Sequence, residues 1–174
     1  ANHSDLTINS NRLDGSTSGN ISIAKNIDGT SAEDLTITTT ASGTGTISLG
    51  PVGAGTFTAG NAIEINTLTV TGAGAITLNG DISTDDNASS AVSITGNVVL
   101  TSDADDTITI TTASGNGNVT VSGSVIGTSG TDQTLAISSG GGDVSIGSIG
   151  STSAATKLNK VEINKADGAA GDIS

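Results

Sequence analysis

A unit of three short alternating runs, joined by glycine-rich corners, recurs along this chain and limits its folding choices more than any other feature. The clearest copy is Thr107 to Gly127. Ile108-Thr109-Ile110-Thr111 and Val119-Thr120-Val121-Ser122 flank the corner Gly115-Asn116-Gly117-Asn118, and Ser124-Val125-Ile126 follows Gly123. First-run copies begin at Leu6, Leu35, Leu68, Ile108, Leu135 and Val161, in steps of 29, 33, 40, 27 and 26 residues. Second-run copies are Asn20 to Ile23, Thr46 to Leu49, Ala75 to Leu78, Asn118 to Val121 and Asp143 to Ile146, and Gly171 to Ser174 starts another. The third run appears as Pro51-Val52, Asp81-Ile82, Ser124 to Ile126 and Ser148-Ile149.

Each run alternates an aliphatic residue with a small polar one, the pattern of a strand buried on one side only. Gly, Asn, Asp and Ser between the runs suit corners that need positive φ. No helical period is present, and threonine-rich runs are poor helix sequence. Three runs per repeat predict one coil of an all-β parallel β-solenoid, with about six or more coils and three short strands in each. Equivalent runs should stack about 4.8 Å apart, with Leu, Ile and Val inside and Thr, Ser and Asn outside. The competing fold is an antiparallel β-sandwich, which needs no repeated three-run unit and usually carries more aromatics. The long 40-residue step holds an extra strand-like segment, Ala91 to Leu100. It reads either as a longer coil with an added strand or as most of an additional coil.

Composition supports a thin core. Among 174 residues there are 25 Gly, one aromatic (Phe57), one proline (Pro51) and no Cys, Met, Trp or Tyr. Large side chains normally supply much of a globular core, and here only aliphatics are at hand. A chain rich in Gly and Ser can be disordered, but regular β-branched alternation argues against that. One domain is the default for this length. The whole of 1–174 reads as a single solenoid segment.

The net charge is −12, and no Lys or Arg occurs between Lys25 and Lys157. An acidic body without aromatics repels phosphate and gives bases nothing to stack on, which excludes nucleic acid as a partner. Anionic membranes are equally poor partners, and no apolar run is long enough to span a bilayer as a helix. Without cysteine there is no disulfide framework and no thiolate metal site. No signal peptide is evident and the first residue is not Met, so the chain reads as a mature or excised piece whose targeting signals lie elsewhere.

The units GTGTISLGPVG, GAGAITLNGDI, GNGNVTVSGSVIG and GGGDVSIGSIG resemble the degenerate coils of filamentous-haemagglutinin-like proteins and other large repetitive bacterial surface adhesins. The resemblance covers nearly the whole chain and is one of pattern and composition. It implies a right-handed parallel β-helix, export to an extracellular or cell-surface location, and assembly into rods or fibres. The amino-terminal secretion domain of such proteins is not evident in this sequence.

Candidate chemistry is sparse. Some parallel β-helices are polysaccharide lyases or hydrolases, which makes Asp85-Asp86 and Asp105-Asp106 the pairs to weigh. Such an enzyme needs two carboxylates at a set separation in a cleft. Adjacent residues of a strand point to opposite faces, and in a corner they are simply solvated. The only His (His3) and the only Arg (Arg12) lie at the far end. The expectation is a non-enzymatic protein, with a carbohydrate-active β-helix as the alternative. Calcium fits better than catalysis. Asp103, Asp105 and Asp106 place three carboxylates in one corner, and oxygen-rich corners suit Ca²⁺. They are the candidate metal ligands, although the pattern is neither an EF-hand loop nor the calcium-binding nonapeptide. No other cofactor is implied.

Threonine ladders offer a further alternative. Thr36/Thr38, Thr69/Thr71 and Thr109/Thr111 hold matching outward positions, the kind of flat array that can bind ice. Aligned in this way the array breaks at Thr7/Asn9, Ala136/Ser138 and Glu162/Asn164. The four glycosylation sequons match the number expected by chance at this composition. Neither terminus reads as a polar cap, which solenoids need. The expected partners are therefore neighbouring repeats of a longer array or a second copy stacked end to end. Host, cell-surface or matrix glycans or proteins complete the expected partners. The function expected is that of a stiff structural and adhesive segment.

Overall fold

The computed structural model describes residues 5–10, 19–29, 33–39, 44–53, 65–84, 91–101, 107–112, 116–128, 133–150, 156–165 and 172–174. Among them there is no helix, and every strand pairing is parallel. The chain is a β-solenoid of stacked coils with three faces.

Face 1 is built from β1 (Leu6–Asn9), β3 (Glu33–Thr38), β5 (Ile65–Thr71), β8 (Val92–Thr95), the first half of β11 (Val119–Gly127) and the start of β13 (Val144–Ile149). Face 2 holds β2 (Ile21–Ile23), β4 (Ile47–Leu49), β6 (Ile76–Leu78), β9 (Val98–Leu100) and the second halves of β11 and β13. Face 3 holds β7 (Ile82–Ser83), β10 (Thr107–Thr111), β12 (Thr134–Gly140) and β14 (Lys160–Lys165). Single bridges extend face 3 from Ile82 through Val52 to Ile27.

Register converts the alternating runs into continuous inward columns. On face 1, Leu6, Leu35, Leu68, Val92, Val119, Val144 and Ile173 stand one above another, at intervals of 29, 33, 24, 27, 25 and 29 residues. Face 2 carries Ile21, Ile47, Ile76, Val98, Val125 and Ile149. Face 3 carries Ile27, Val52, Ile82, Ile110, Ile137 and Ile163. The inner members of these columns, with the inward residues two positions along such as Ile37, Leu49, Val70 and Leu78, form the core, and every member of the buried cluster is aliphatic. Stacking like on like buries branched side chains at a depth that needs no aromatic filler. Each fully buried Leu or Ile contributes about 1.5–3 kcal/mol.

The registers correct one expectation. Leu68 does not stack on Ile108, the next first-run copy; it pairs with Val92. Ile108 pairs with Leu135, which pairs with Val161, all on face 3. The extra segment supplies β8 to face 1 and β9 to face 2, so it is most of an additional coil, completed by β10. Two inserted strands on a three-sided coil shift every later run by one face. The first run moves from face 1 to face 3, the second from face 2 to face 1, and the third from face 3 to face 2. The 40-residue step thereby becomes an ordinary coil of 24 residues between Leu68 and Val92.

Candidate functional site

Two sets of polar side chains recur, one holding the coils together and one pointing away from them. The first set is an Asx residue just before the first inward residue of a strand. Its side-chain oxygen accepts the backbone N–H of the residue directly above it in the next coil. Asn20 accepts from Thr46 at 2.9 Å, Asp81 from Thr109 at 2.7 Å, Asn97 from Ser124 at 3.2 Å, Asn118 from Asp143 at 2.7 Å and Asp143 from Asp172 at 2.6 Å. Asp5 accepts from Asp34 in the same way at 3.3 Å. The corner Asn and Asp residues thus do more than relax the backbone. They carry hydrogen bonding from coil to coil where the sheet is interrupted.

Inside the coil, the third inward position of three units is a hydroxyl. Thr39 donates to the Gly45 carbonyl at 3.2 Å, Thr112 to Gly117 at 2.6 Å and Ser139 to Gly142 at 3.0 Å. All three residues are fully buried. The hydroxyl folds the glycine corner back onto the strand end that precedes it. Sequence reasoning missed these residues, although continuing the alternation Ile108, Ile110, Thr112 places the hydroxyl inside. The buried Thr84 Oγ1 and Gln133 Nε2 have no partner among the described residues, while the Gln133 Oε1 accepts the Thr128 N–H at 2.7 Å.

The outward set is most regular on face 1. One column reads Thr7, Thr36, Thr69, Ser93, Thr120, Ser145, and the column two residues along reads Asn9, Thr38, Thr71, Thr95, Ser122, ending where the pairing of β11 with β13 shifts register after Val121. Neither column contains a charged or bulky residue. Pairing from Leu35–Thr38 through Leu68–Thr71 to Val92–Thr95 has no bulge. The other faces differ. Face 2 presents Ser22, Ser48 and Thr77, then turns apolar at Val99 and Ile126. Face 3 mixes Thr109 with Ala136 and Glu162.

This corrects the earlier reading of the threonine ladder. Thr109 and Thr111 belong to face 3 and do not continue Thr69 and Thr71; Ser93 and Thr95 do. The breaks at Ala136/Ser138 and Glu162/Asn164 lie on face 3 as well. Face 1 keeps the Asn9 irregularity and gains hydroxyls at all of its middle rows.

The carboxylates proposed as calcium ligands, Asp103, Asp105 and Asp106, lie outside the described residues, as do Asp85 and Asp86. Among the described residues no group of three or more His, Asp or Glu could hold a metal ion. Two grooves mark the outermost coils. One of about 510 Å³ is lined by Ile149, Leu158 and Val161 with Lys157 and Lys160. The other, of about 190 Å³, is lined by Leu6, Leu35 and Ile65 with Asp28, Glu33 and Asp34. Lys160 also pairs with Glu162. Leu6, Ile149 and Ile173 are 49%, 46% and 57% exposed. These grooves are the sides of the outermost rungs, and neither brings an acid, a base and a nucleophile together among the described residues.

No family model, curated protein or solved structure matches this chain.

Proposed function

We propose that this chain is a structural and adhesive segment of a secreted or surface-displayed repetitive protein, of the kind its units resemble in filamentous-haemagglutinin-like adhesins. The observation that carries the reading is the continuous inward column of face 1, joined by a parallel pairing at every step from Leu6 to Ile173. A solenoid of this kind is quasi-one-dimensional. Each coil touches only its neighbours, and added coils lengthen it without changing its cross-section. The Asx ties stiffen the corners between strands, where a rod would otherwise bend. Its acidic body keeps neighbouring rods apart by like-charge repulsion.

Joining two copies in one chain, directly through their terminal coils, tests the rod. Small-angle scattering and negative-stain imaging should show a particle about twice as long with an unchanged cross-sectional radius. Two beads moving independently on a flexible joint would contradict it. The adhesive part is tested separately, by flow of chain-coated beads over cell-surface and matrix glycans and proteins. Retention no better than that of albumin-coated beads would remove it.

A further inference from the structure

We propose that face 1 is a binding surface for ice, with its two hydroxyl columns as the contact. The inference goes beyond the rod reading and stands or falls without it. Four consecutive rows carry a hydroxyl in both columns: Thr36/Thr38, Thr69/Thr71, Ser93/Thr95 and Thr120/Ser122. None of these eight side chains makes a hydrogen bond through its hydroxyl among the described residues, so their hydrogen-bonding capacity faces outward.

Spacing selects the ligand. Along the solenoid the rows repeat at the strand separation, about 4.8 Å. In a tetrahedral water network with hydrogen bonds of about 2.75 Å, oxygens two bonds apart lie about 4.5 Å from each other. The mismatch is about 0.3 Å per row, so four rows accumulate only about 0.9 Å, well under one repeat. Liquid water has no such repeat to meet. Each threonine also presents a methyl group beside its hydroxyl, which limits how many waters can crowd the face and favours an ordered layer. No charge lies in either column to strip that layer away. A soluble glycan is a poorer fit, because neither column offers an aromatic face or a paired amide to hold a sugar ring.

The purified 174-residue chain should shape growing ice crystals and open a gap between melting and freezing points. Thr69→Tyr, in the middle of the face, should reduce that gap at least tenfold. Thr77→Tyr, outward on face 2, should leave it unchanged. Both variants must keep the parent's β-sheet circular dichroism. If Thr69→Tyr does not, Ser93→Tyr one coil further on replaces it. Unshaped crystals with no gap in the parent protein would overturn the proposal, as would equal losses in the face 1 and face 2 variants. Two other results would also overturn it: cosedimentation with crystalline cellulose or chitin without any effect on ice, or a dimer through face 1 that Thr69→Tyr disrupts and that occludes the columns.

Discussion

At the scale of single residues, the coil depends on side chains whose polarity suggests surface positions. Thr112 is fully buried and donates to the Gly117 carbonyl at 2.6 Å. Thr109, three residues earlier and within β10, faces outward. Replacing Thr112 with Val keeps the shape and leaves a buried carbonyl short of its partner, which should lower the unfolding free energy by about 1–3 kcal/mol. Thr109→Val should change it by no more than about 0.5 kcal/mol. Urea titration of the two variants checks the contrast, and equal effects would place Thr112 outside the core. Glycine is just as position-specific. Gly72, Gly96, Gly123 and Gly147 turn the corner from face 1 to face 2 in successive coils. A Cβ on Gly123 would lie 2.2 Å from the Gly96 carbonyl oxygen, and one on Gly96 would lie 2.7 Å from that of Gly72. This column is a consequence of close stacking. It crosses from one type of sequence corner to another, so aligning the repeats does not reveal it.

At the scale of elements, nearly every strand is visible in the alternating runs, β8 and β9 included, because a half-buried strand writes its period of two into the sequence. What pairs with what is not visible there. Leu68-Thr69-Val70 can receive Ile108-Thr109-Ile110 or Val92-Ser93-Ile94 with the same side chains inward, since both satisfy the same period. The choice depends on how many strands intervene, and β8 and β9 decide it. The candidate site was legible in kind but not in place. Repeat alignment stacks Thr36/Thr38 on Thr69/Thr71, as the registers do, but continues the ladder to Thr109/Thr111, which lie on face 3 for this reason. Deleting Ala91 to Leu100 should therefore restore the older phase. Leu68 and Ile108 would then be separated by 30 residues, between the 29 and 33 of the first two coils. The deletion variant should fold, with β10 moved onto face 1 beside β5. A cysteine pair at Thr69 and Thr109 should oxidise readily in that variant, and an unfolded chain would show that the later coils cannot change face.

At the scale of the whole molecule, the protein is three aliphatic columns wrapped in one chain, with hydrogen bonding carried from coil to coil by strands on the faces and Asx side chains at the corners. Its faces are chemically distinct even though one sequence unit generates all of them. The phase shift places second-run copies of the later coils beneath first-run copies of the earlier ones. The middle rows of face 1 keep hydroxyls in both columns only because of that change. Both the proposed rod and the proposed ice-binding face depend on this arrangement, so the register around β8 is the point to measure. Cysteine pairs introduced at Thr69 and Ser93, and separately at Thr69 and Thr109, test it in the intact chain. Neighbouring strands bring Cα atoms to about 4.8 Å, inside the range a disulfide accepts. Under mild oxidation the Thr69→Cys/Ser93→Cys protein should form an intramolecular disulfide, and the Thr69→Cys/Thr109→Cys protein should not. A disulfide in the second protein and none in the first would contradict the shift of face on which the account rests.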